Sequence, residues 1–372
     1  MSRAPDRQEL EAWLRLLTSP GLGPAHLRRL CDTFGGAQAI LAAPRSRLES
    51  LRLKAETLDY WRAPDPAPLR HAQSWLDQPG HQLILDADPR YPARLRDLND
   101  APPALFYLGD PDLFNVPQLA MVGSRNPTPA GLRHARQFAQ HLAGQGLGIT
   151  SGLALGVDAA AHQGALEAQG MTLAITGTGL DRVYPASNQA LAERIRDHGL
   201  IISEFPPGTP ARRDHFPRRN RLIAALSLGT LVIEAALRSG SLITARLAGE
   251  LGREVFAMPG SVDNPLARGC HRLIRQGAKL VETADDILEE LGPLLDNVSK
   301  VPSSSPREAP PDVHDKDYQH LLKHLDNAPR SIDELVEHTG LAVDAVSSML
   351  LILELRGDVA MAPGGGYQKC RP

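Results

Sequence analysis

The chain has 372 residues, of which 42% are hydrophobic and 22% charged, with a formal net charge of −3. That length exceeds one compact domain and that apolar content suffices for real cores, so two or three domains are expected. A near-neutral balance excludes a global field that draws in a polyanion, and any nucleic-acid site has to come from a local cluster of cations. No run of about 18 apolar residues occurs, and MSRAPDRQEL lacks the charged head, apolar stretch and small-residue cleavage site of a signal peptide. A soluble, cytoplasmic protein with no membrane partner is expected. Cys31, Cys270 and Cys370 are odd in number and far apart, which suits free thiols better than a disulfide framework or a zinc knuckle.

From Gln8 to Gly36 the spacing of apolar residues predicts two short amphipathic helices around Gly21-Leu22-Gly23, with Pro24 at a helix start. Helices continue to about Trp75. The pair resembles a helix-hairpin-helix, in which N–H groups at a helix N-terminus hold a phosphate. A plain turn in a small bundle accounts for the same residues.

Between Leu119 and Leu291 the runs LAMVGS, LGITSG, TLAITG, LIISEF, TLVIEA and EVFAMPG alternate with helical segments. Strands apolar on successive positions are covered on both faces, so the pattern predicts a doubly wound, mostly parallel sheet of Rossmann type. Ligands of such sheets sit beyond the carboxyl ends of the strands, where the glycine-rich turns fall.

The stretch 297–314 is rich in Pro and Ser and poor in apolar residues, as linkers are. After it, SIDELVEHTG offers Ser331 as N-cap with Glu334 three residues on, and Gly340 leads into LAVDAVSSMLLILELRG. The two helices and the glycine-rich VAMAPGGGYQK outline a winged helix. The second helix carries Asp344, Glu354 and Arg356 among Val, Leu, Ile and Met, which suits core packing and a protein partner better than phosphate.

Four constellations fall at strand ends. In Gly123-Ser124-Arg125 the glycine admits a ligand close to the backbone and the arginine grips a phosphate at two points. In Ser151-Gly152-Leu153-Ala154-Leu155-Gly156-Val157-Asp158 a turn of small residues enters a helix containing His162, and its N–H groups are expected to cradle an anion. Gly177-Thr178-Gly179-Leu180-Asp181-Arg182-Val183-Tyr184-Pro185 departs from a dinucleotide fingerprint, because arginine stands where the third glycine belongs. The segment Arg212-Arg213-Asp214-His215-Phe216-Pro217-Arg218-Arg219-Asn220-Arg221 sets five arginines and an aromatic ring against one aspartate. Arginines following phosphates around a ring that accepts a base face suit a single strand; Phe216 anchoring its helix amid a solvated arginine face is the structural alternative. Further on, Ser239-Gly240-Ser241 turns into a helix with Thr244 one turn inside, a further anion position. A phosphate-cradling P-loop, a nucleophile elbow and a close cluster with metal-ligand spacing are all missing, so no catalytic residue, cofactor or metal is expected. His134, His141 and His162 read as structural.

The order GSR, SGLALGVDAAAHQGAL, TGTGLDRVYP, SEFPPGTPARRDHFPRRNRLIAALS and EAALRSGSLITARLAGELGREVFAMPG closely resembles the DprA (Smf) family over residues 85–290. The resemblance implies an extended Rossmann domain that binds single-stranded DNA, forms a homodimer, loads RecA and serves natural transformation without being an enzyme. It implies that Arg125 holds a phosphate, that Arg213 stands at a basic DNA contact and that Phe216 stacks on a base, with the turns at Ser151-Gly152 and at Gly240, Ser241 and Thr244 adding contacts. The expected organisation is a helical domain (SAM or helix-hairpin-helix-like) over 1–78, the Rossmann domain over 79–296, a linker over 297–314 and a winged helix over 315–372. A rival comes from the phosphoribohydrolase (lysine-decarboxylase-like) family, whose signature P-G-G-x-G-T-x-x-E is partly matched by Gly229-Thr230 and Glu234. The paired glycines are missing and the glutamate is displaced by one position. A nucleotide-binding pocket, catalytic or sensing, therefore stays open beside the strand binder.

Overall fold

The structure, a computed structural model, describes residues 7–298, 316–325, 330–355, 359–361 and 366–369. Nine strands form one sheet: β1 His81–Leu85, β2 Ala104–Gly109, β3 Gln118–Gly123, β4 Gly148–Ser151, β5 Thr172–Ile175, β6 Leu200–Ser203, β7 Gly229–Ile233, β8 Glu254–Ala257 and β9 Lys279–Leu280. Their order is β1-β2-β6-β5-β4-β3-β7-β8-β9. The six predicted runs are β3 to β8, and β3 to β9 are parallel throughout.

Strand alternation distributes β3 between two cores. Leu119 and Met121 pack under the helices Pro129–Gly144, Val157–Glu167 and Asp285–Val298, whereas Ala120 and Val122 face Leu222, Ile223 and Leu226 of helix His215–Leu226 and Ala245 of helix Ser241–Glu250. The chain winds outward from β3 in one direction through β4, β5 and β6 and in the other through β7 and β8. The topological switch point thus lies between β3 and β7, where Gly123 is paired with Ile233. A Cβ on Gly123 would stand 1.9 Å from the Ile233 carbonyl oxygen, so only glycine lets the two strands close here.

Six helices precede the sheet, between Arg7 and Leu76. Trp13, Leu16, Leu30, Ile40 and Trp61 form their core, which Leu85 of β1 and Ala104 of β2 complete. Leu14 and Trp75 pack on Phe106, Leu108 and Ile201. The helical region therefore shares its core with the antiparallel edge of the sheet, and residues 1–300 make one compact unit.

Residues 301–372 make a second unit. Its described parts are the helices Lys316–His324, Ile332–Thr339 and Val343–Leu355 and an antiparallel pair, Val359–Met361 with Tyr367–Lys369, as a winged helix requires. Ser331 and Glu334 form the expected reciprocal cap, and Gly340 ends the helix at φ +66°. Val346, Met349, Leu350 and Leu353 of the next helix are consumed by the unit's own core with Leu321 and Leu335. Residues 299–314, Arg356 and Cys370 lie outside the described residues, and helix Asp285–Val298 runs two residues into the stretch assigned to the linker.

Replacing Ser331 with Ala removes a cap worth about 1 kcal/mol. Hydrogen exchange on the intact chain is expected to show the amides of helix Ile332–Thr339 opening more easily by that amount; unchanged protection would show that the cap contributes nothing.

Candidate nucleic-acid interface

The carboxyl ends of β3 to β7 bring the singled-out residues to one edge. Beyond Gly123 the Ser124 Oγ accepts the Asn126 N–H at 3.1 Å, a local turn that leaves Arg125 exposed. The Arg125 guanidinium carbon lies 5.5 Å from the centroid of the Phe216 ring. Phe216 is half-buried at the start of helix His215–Leu226, seated on Gly177, where an added Cβ would come within 3.0 Å of the ring. Its neighbour His215 stacks on Phe205 at 4.2 Å and is held near the Gly177 carbonyl oxygen, at 3.2 Å, turning the helix so that Phe216 faces outward. Arg212 and Arg213, just before the helix, are exposed.

The remaining three arginines of the cluster differ from the expectation of a continuous phosphate-following face. Arg218 grips Glu204 through Nε and Nη2 at 3.0 and 3.1 Å and lies 4.7 Å from the Phe205 ring. Arg221 donates from Nη2 to Glu204 Oε2 at 2.7 Å, and its Nε sits 3.0 Å from Asp100 Oδ2. Arg219 is 3% exposed and donates through Nη1 to the carbonyl oxygens of Gly152, at 2.6 Å, and of Ile175. Helical geometry is the cause: residues 218 and 221 share the face that meets Glu204, whereas 219 points under the strand ends. Burial lowers the Arg219 pKa to about 10, with the Asp158 carboxylate opposing the shift.

The two turns expected to cradle phosphate are also filled from within. Asp158 Oδ2 accepts the N–H groups of Gly152 and Ala154 at 3.1 and 3.4 Å, so an internal anion stands where an external one was expected, and Ser151 is buried with its Oγ bonded to the Met121 carbonyl oxygen. Burial pushes the Asp158 pKa up, against the pull of Arg219. At the Gly240 turn the Ser241 N–H is taken by the Ser239 Oγ at 3.3 Å, and the Leu242 and Ile243 N–H groups by the carbonyl oxygens of Ser239 and Gly240. Asn220 reaches the Gly240 carbonyl oxygen at 3.5 Å, and Thr244 is fully buried with its hydroxyl unbonded. Of the residues singled out from the sequence, Arg125, Arg212, Arg213 and Gly240 remain exposed, with Phe216 half-buried beside Arg125.

At the switch point itself, Glu234 has φ +51° and accepts the Thr128 N–H and Thr128 hydroxyl at 2.7 and 2.6 Å. Its carboxylate lies against Gly131, in the first turn of helix Pro129–Gly144. The adjoining cavity of about 180 Å³ is below the roughly 300–1,000 Å³ of small-ligand sites. Among the described residues no group of His, Cys, Asp and Glu could hold a metal ion, and no helix is long and apolar enough to cross a membrane.

Sequence reasoning gave no role to Glu204, nor to Asp158 and Tyr184, which it named only as members of their turns. Glu204 directly follows a parallel strand and faces arginines three residues apart, and Asp158 stands one turn behind a glycine-rich loop whose N–H groups need an acceptor. Both signals were readable. Tyr184, 49% exposed, lies 5.5 Å from Phe216 between ring centroids and is brought there by a loop with no local pattern.

A doubly wound sheet of Rossmann type thus carries an open line of cations and a ring along the carboxyl ends of its strands. Residues 82–292 match the family described as DNA recombination-mediator protein A, and residues 305–365 match the DprA winged helix domain. Protein Smf of Escherichia coli is 39% identical over 96% of this chain and 95% of its own length. The DNA processing protein DprA of Streptococcus pneumoniae is 48% identical over 55% of this chain and 72% of its own. The X-ray structure of that protein superposes with a TM-score of 0.68 at 37% identity, covering 75% of this chain and 97% of the other. The Helicobacter pylori DNA processing protein A, reported for its single-stranded DNA binding mode, superposes with a TM-score of 0.53 at 31% identity over 57% of this chain and 96% of its own. The chain belongs to the DprA/Smf family of DNA-processing proteins.

Two outcomes follow. Glu204→Gln removes the carboxylate shared by Arg218 and Arg221 and leaves buried Arg221 paired with Asp100 alone, and chemical denaturation is expected to show a loss of roughly 3 kcal/mol; a loss below 1 kcal/mol would mean the cluster is not holding the helix. His162 is fully buried, and burial lowers its pKa to about 3. Its Nδ1 meets the Thr172 Oγ1 at 2.7 Å, while that hydroxyl donates to the Ile149 carbonyl oxygen, so Nδ1 carries the proton and Nε2 is bare. Between pH 6.5 and pH 3 the unfolded chain holds one proton more than the folded chain at this residue, and stability rises with pH across that window at about 1.4 kcal/mol per unit. His162→Gln is expected to reduce the stability lost between pH 7 and pH 5 by about 2 kcal/mol in urea titrations, with an unaltered pH slope as the contrary result.

Proposed function

We propose that this protein binds single-stranded DNA without sequence preference along the carboxyl ends of β3 to β7, protects it, and hands it to RecA as a recombination mediator, acting as a homodimer. The observation that carries the reading is the juxtaposition of exposed Arg125, Arg212 and Arg213 with the Phe216 ring. Cations at this spacing follow a phosphate backbone, and a ring stacks only on a base whose face is not already covered by a duplex neighbour. The family's description as a recombination mediator and the single-strand binding reported for the Helicobacter pylori relative support the same ligand. In this reading Arg219 and Asp158 shape the floor of the site, Arg218 and Arg221 fix its helix through Glu204, and none of these four touches phosphate directly. The nucleotide-pocket alternative finds no such support, because Glu234 fills the helix N-terminus at which a phosphate would sit and the space beside it is small.

Fluorescence anisotropy of a labelled mixed-sequence strand, with duplex as competitor, tests the reading. Phe216→Ala is expected to weaken binding by ~1–3 kcal/mol with the fold intact. Arg125→Ala and Arg213→Ala are each expected to flatten the dependence of log affinity on log salt by about 0.7, from a wild-type slope of roughly −2 for three phosphate contacts. Failure of the folded wild-type protein to bind the strand, or binding indifferent to salt, would overturn it, and release of free base from AMP would favour the pocket instead.

A further inference from the structure

Phe216 is half-buried, with Gly177 beneath it and the Arg125 guanidinium over it. Tyr184 is the ring that meets solvent, at 49% exposure, and its plane is inclined 38° to that of Phe216. A large aromatic surface of this kind is costly to leave in water, and here it stands beside the open arginines rather than alone.

The loop that carries Tyr184 is built to hold still. Asp181 Oδ1 accepts the Gly208 N–H at 2.8 Å, while Oδ2 meets Arg182 at 3.1 Å and His71, from the helical region, at 3.4 Å. The Gly179 N–H donates to the Thr209 carbonyl oxygen at 3.1 Å. On the other side Asn188 donates to the carbonyl oxygens of Leu153 and Ala154 at 2.9 and 3.2 Å. The ring is therefore anchored to the loop before helix His215–Leu226 and to the turn after β4, the two segments that frame the candidate site.

Building on the single-strand reading above, we propose that Tyr184 is a base-stacking residue in its own right, so that the site takes two adjacent nucleobases, one on Phe216 and one on the outer face of Tyr184. The spacing decides between this and a sandwich: a base inserted between two rings needs roughly 7 Å between their planes, twice the ~3.4 Å step of stacked bases, and these centroids are 5.5 Å apart. The two rings are in contact with each other, and each offers its remaining face. Arg125 leaves its face of Phe216 as it takes the phosphate between the two bases. Because any base has a stacking face, a two-ring platform of this kind adds grip without adding sequence preference.

The test is an abasic scan. The shortest oligonucleotide that retains full affinity for the wild-type protein is synthesised with one base removed at each position in turn. Wild-type affinity is expected to drop about 5- to 100-fold at two neighbouring positions. Tyr184→Ala is expected to abolish the penalty at one of them, Phe216→Ala at the other, and Tyr184→Phe to keep both. Tyr184→Trp adds a direct signal, quenched by the intact strand and not by the strand abasic at the Tyr184 position; Trp13, Trp61 and Trp75 are buried and give a steady background. A Tyr184→Ala protein that weakens all oligonucleotides equally, or that erases the same penalty as Phe216→Ala, would make Tyr184 a brace for Phe216 and overturn the proposal, as would unchanged affinity. A wild-type protein that binds no strand at all would instead remove the reading on which the proposal rests.

Discussion

The site depends on Arg219. Its guanidinium bonds the carbonyl oxygens that end β4 and β5, lies beneath the glycine-rich turn, and belongs to the helix that also presents Phe216. A buried arginine with carbonyl partners and a nearby carboxylate is costly to assemble and costlier to leave half-made, so the strand ends and the helix are fixed in one arrangement. The rings and open cations at the surface take their places from that buried junction.

Three carboxylates set the boundary between interior and ligand. Asp158 takes the N–H groups of the turn after β4, Glu204 takes Arg218 and Arg221, and Glu234 takes the N–H and hydroxyl of Thr128 at the switch point. Each sits where a doubly wound sheet elsewhere receives a phosphate or an arginine-bound substrate. Positive charge remains open to the side of these positions, on Arg125, Arg212 and Arg213, which makes a ledge along the sheet edge rather than a pit for one small anion.

Much of the architecture was legible because strands covered on both faces announce themselves: β3 to β8 each read as an unbroken apolar run with a glycine, serine or proline turn behind it. β1 and β2 escaped, since His81–Leu85 and Ala104–Gly109 pair antiparallel without a crossover helix between them, and the two-residue β9 is too short to carry a pattern. The cap at Ser331 followed from residue type and spacing alone. In the arginine cluster, composition drew attention to the right segment but not to the right residues. Charge counting treats Arg213, Arg218, Arg219 and Arg221 alike, whereas a helical wheel and the carboxylate of Glu204 separate the exposed cations from those spent inside. Tyr184 comes to Phe216 only through tertiary folding, which no local spacing encodes.

The carboxylate of Glu234 at the switch point has a consequence for the size of ligand the protein can notice. With the deep anion position occupied, what remains are shallow grips, and one stacked base or one phosphate contact of ~1–3 kcal/mol corresponds by itself to a dissociation constant in the millimolar range or weaker. Several such grips engaged by one covalent chain add to a useful affinity, while the same groups offered as separate molecules do not. On the proposed single-strand reading, a protein whose switch-point position is filled by its own side chain responds to the length of a polymer, and the monomers dissolved around it pass largely unseen.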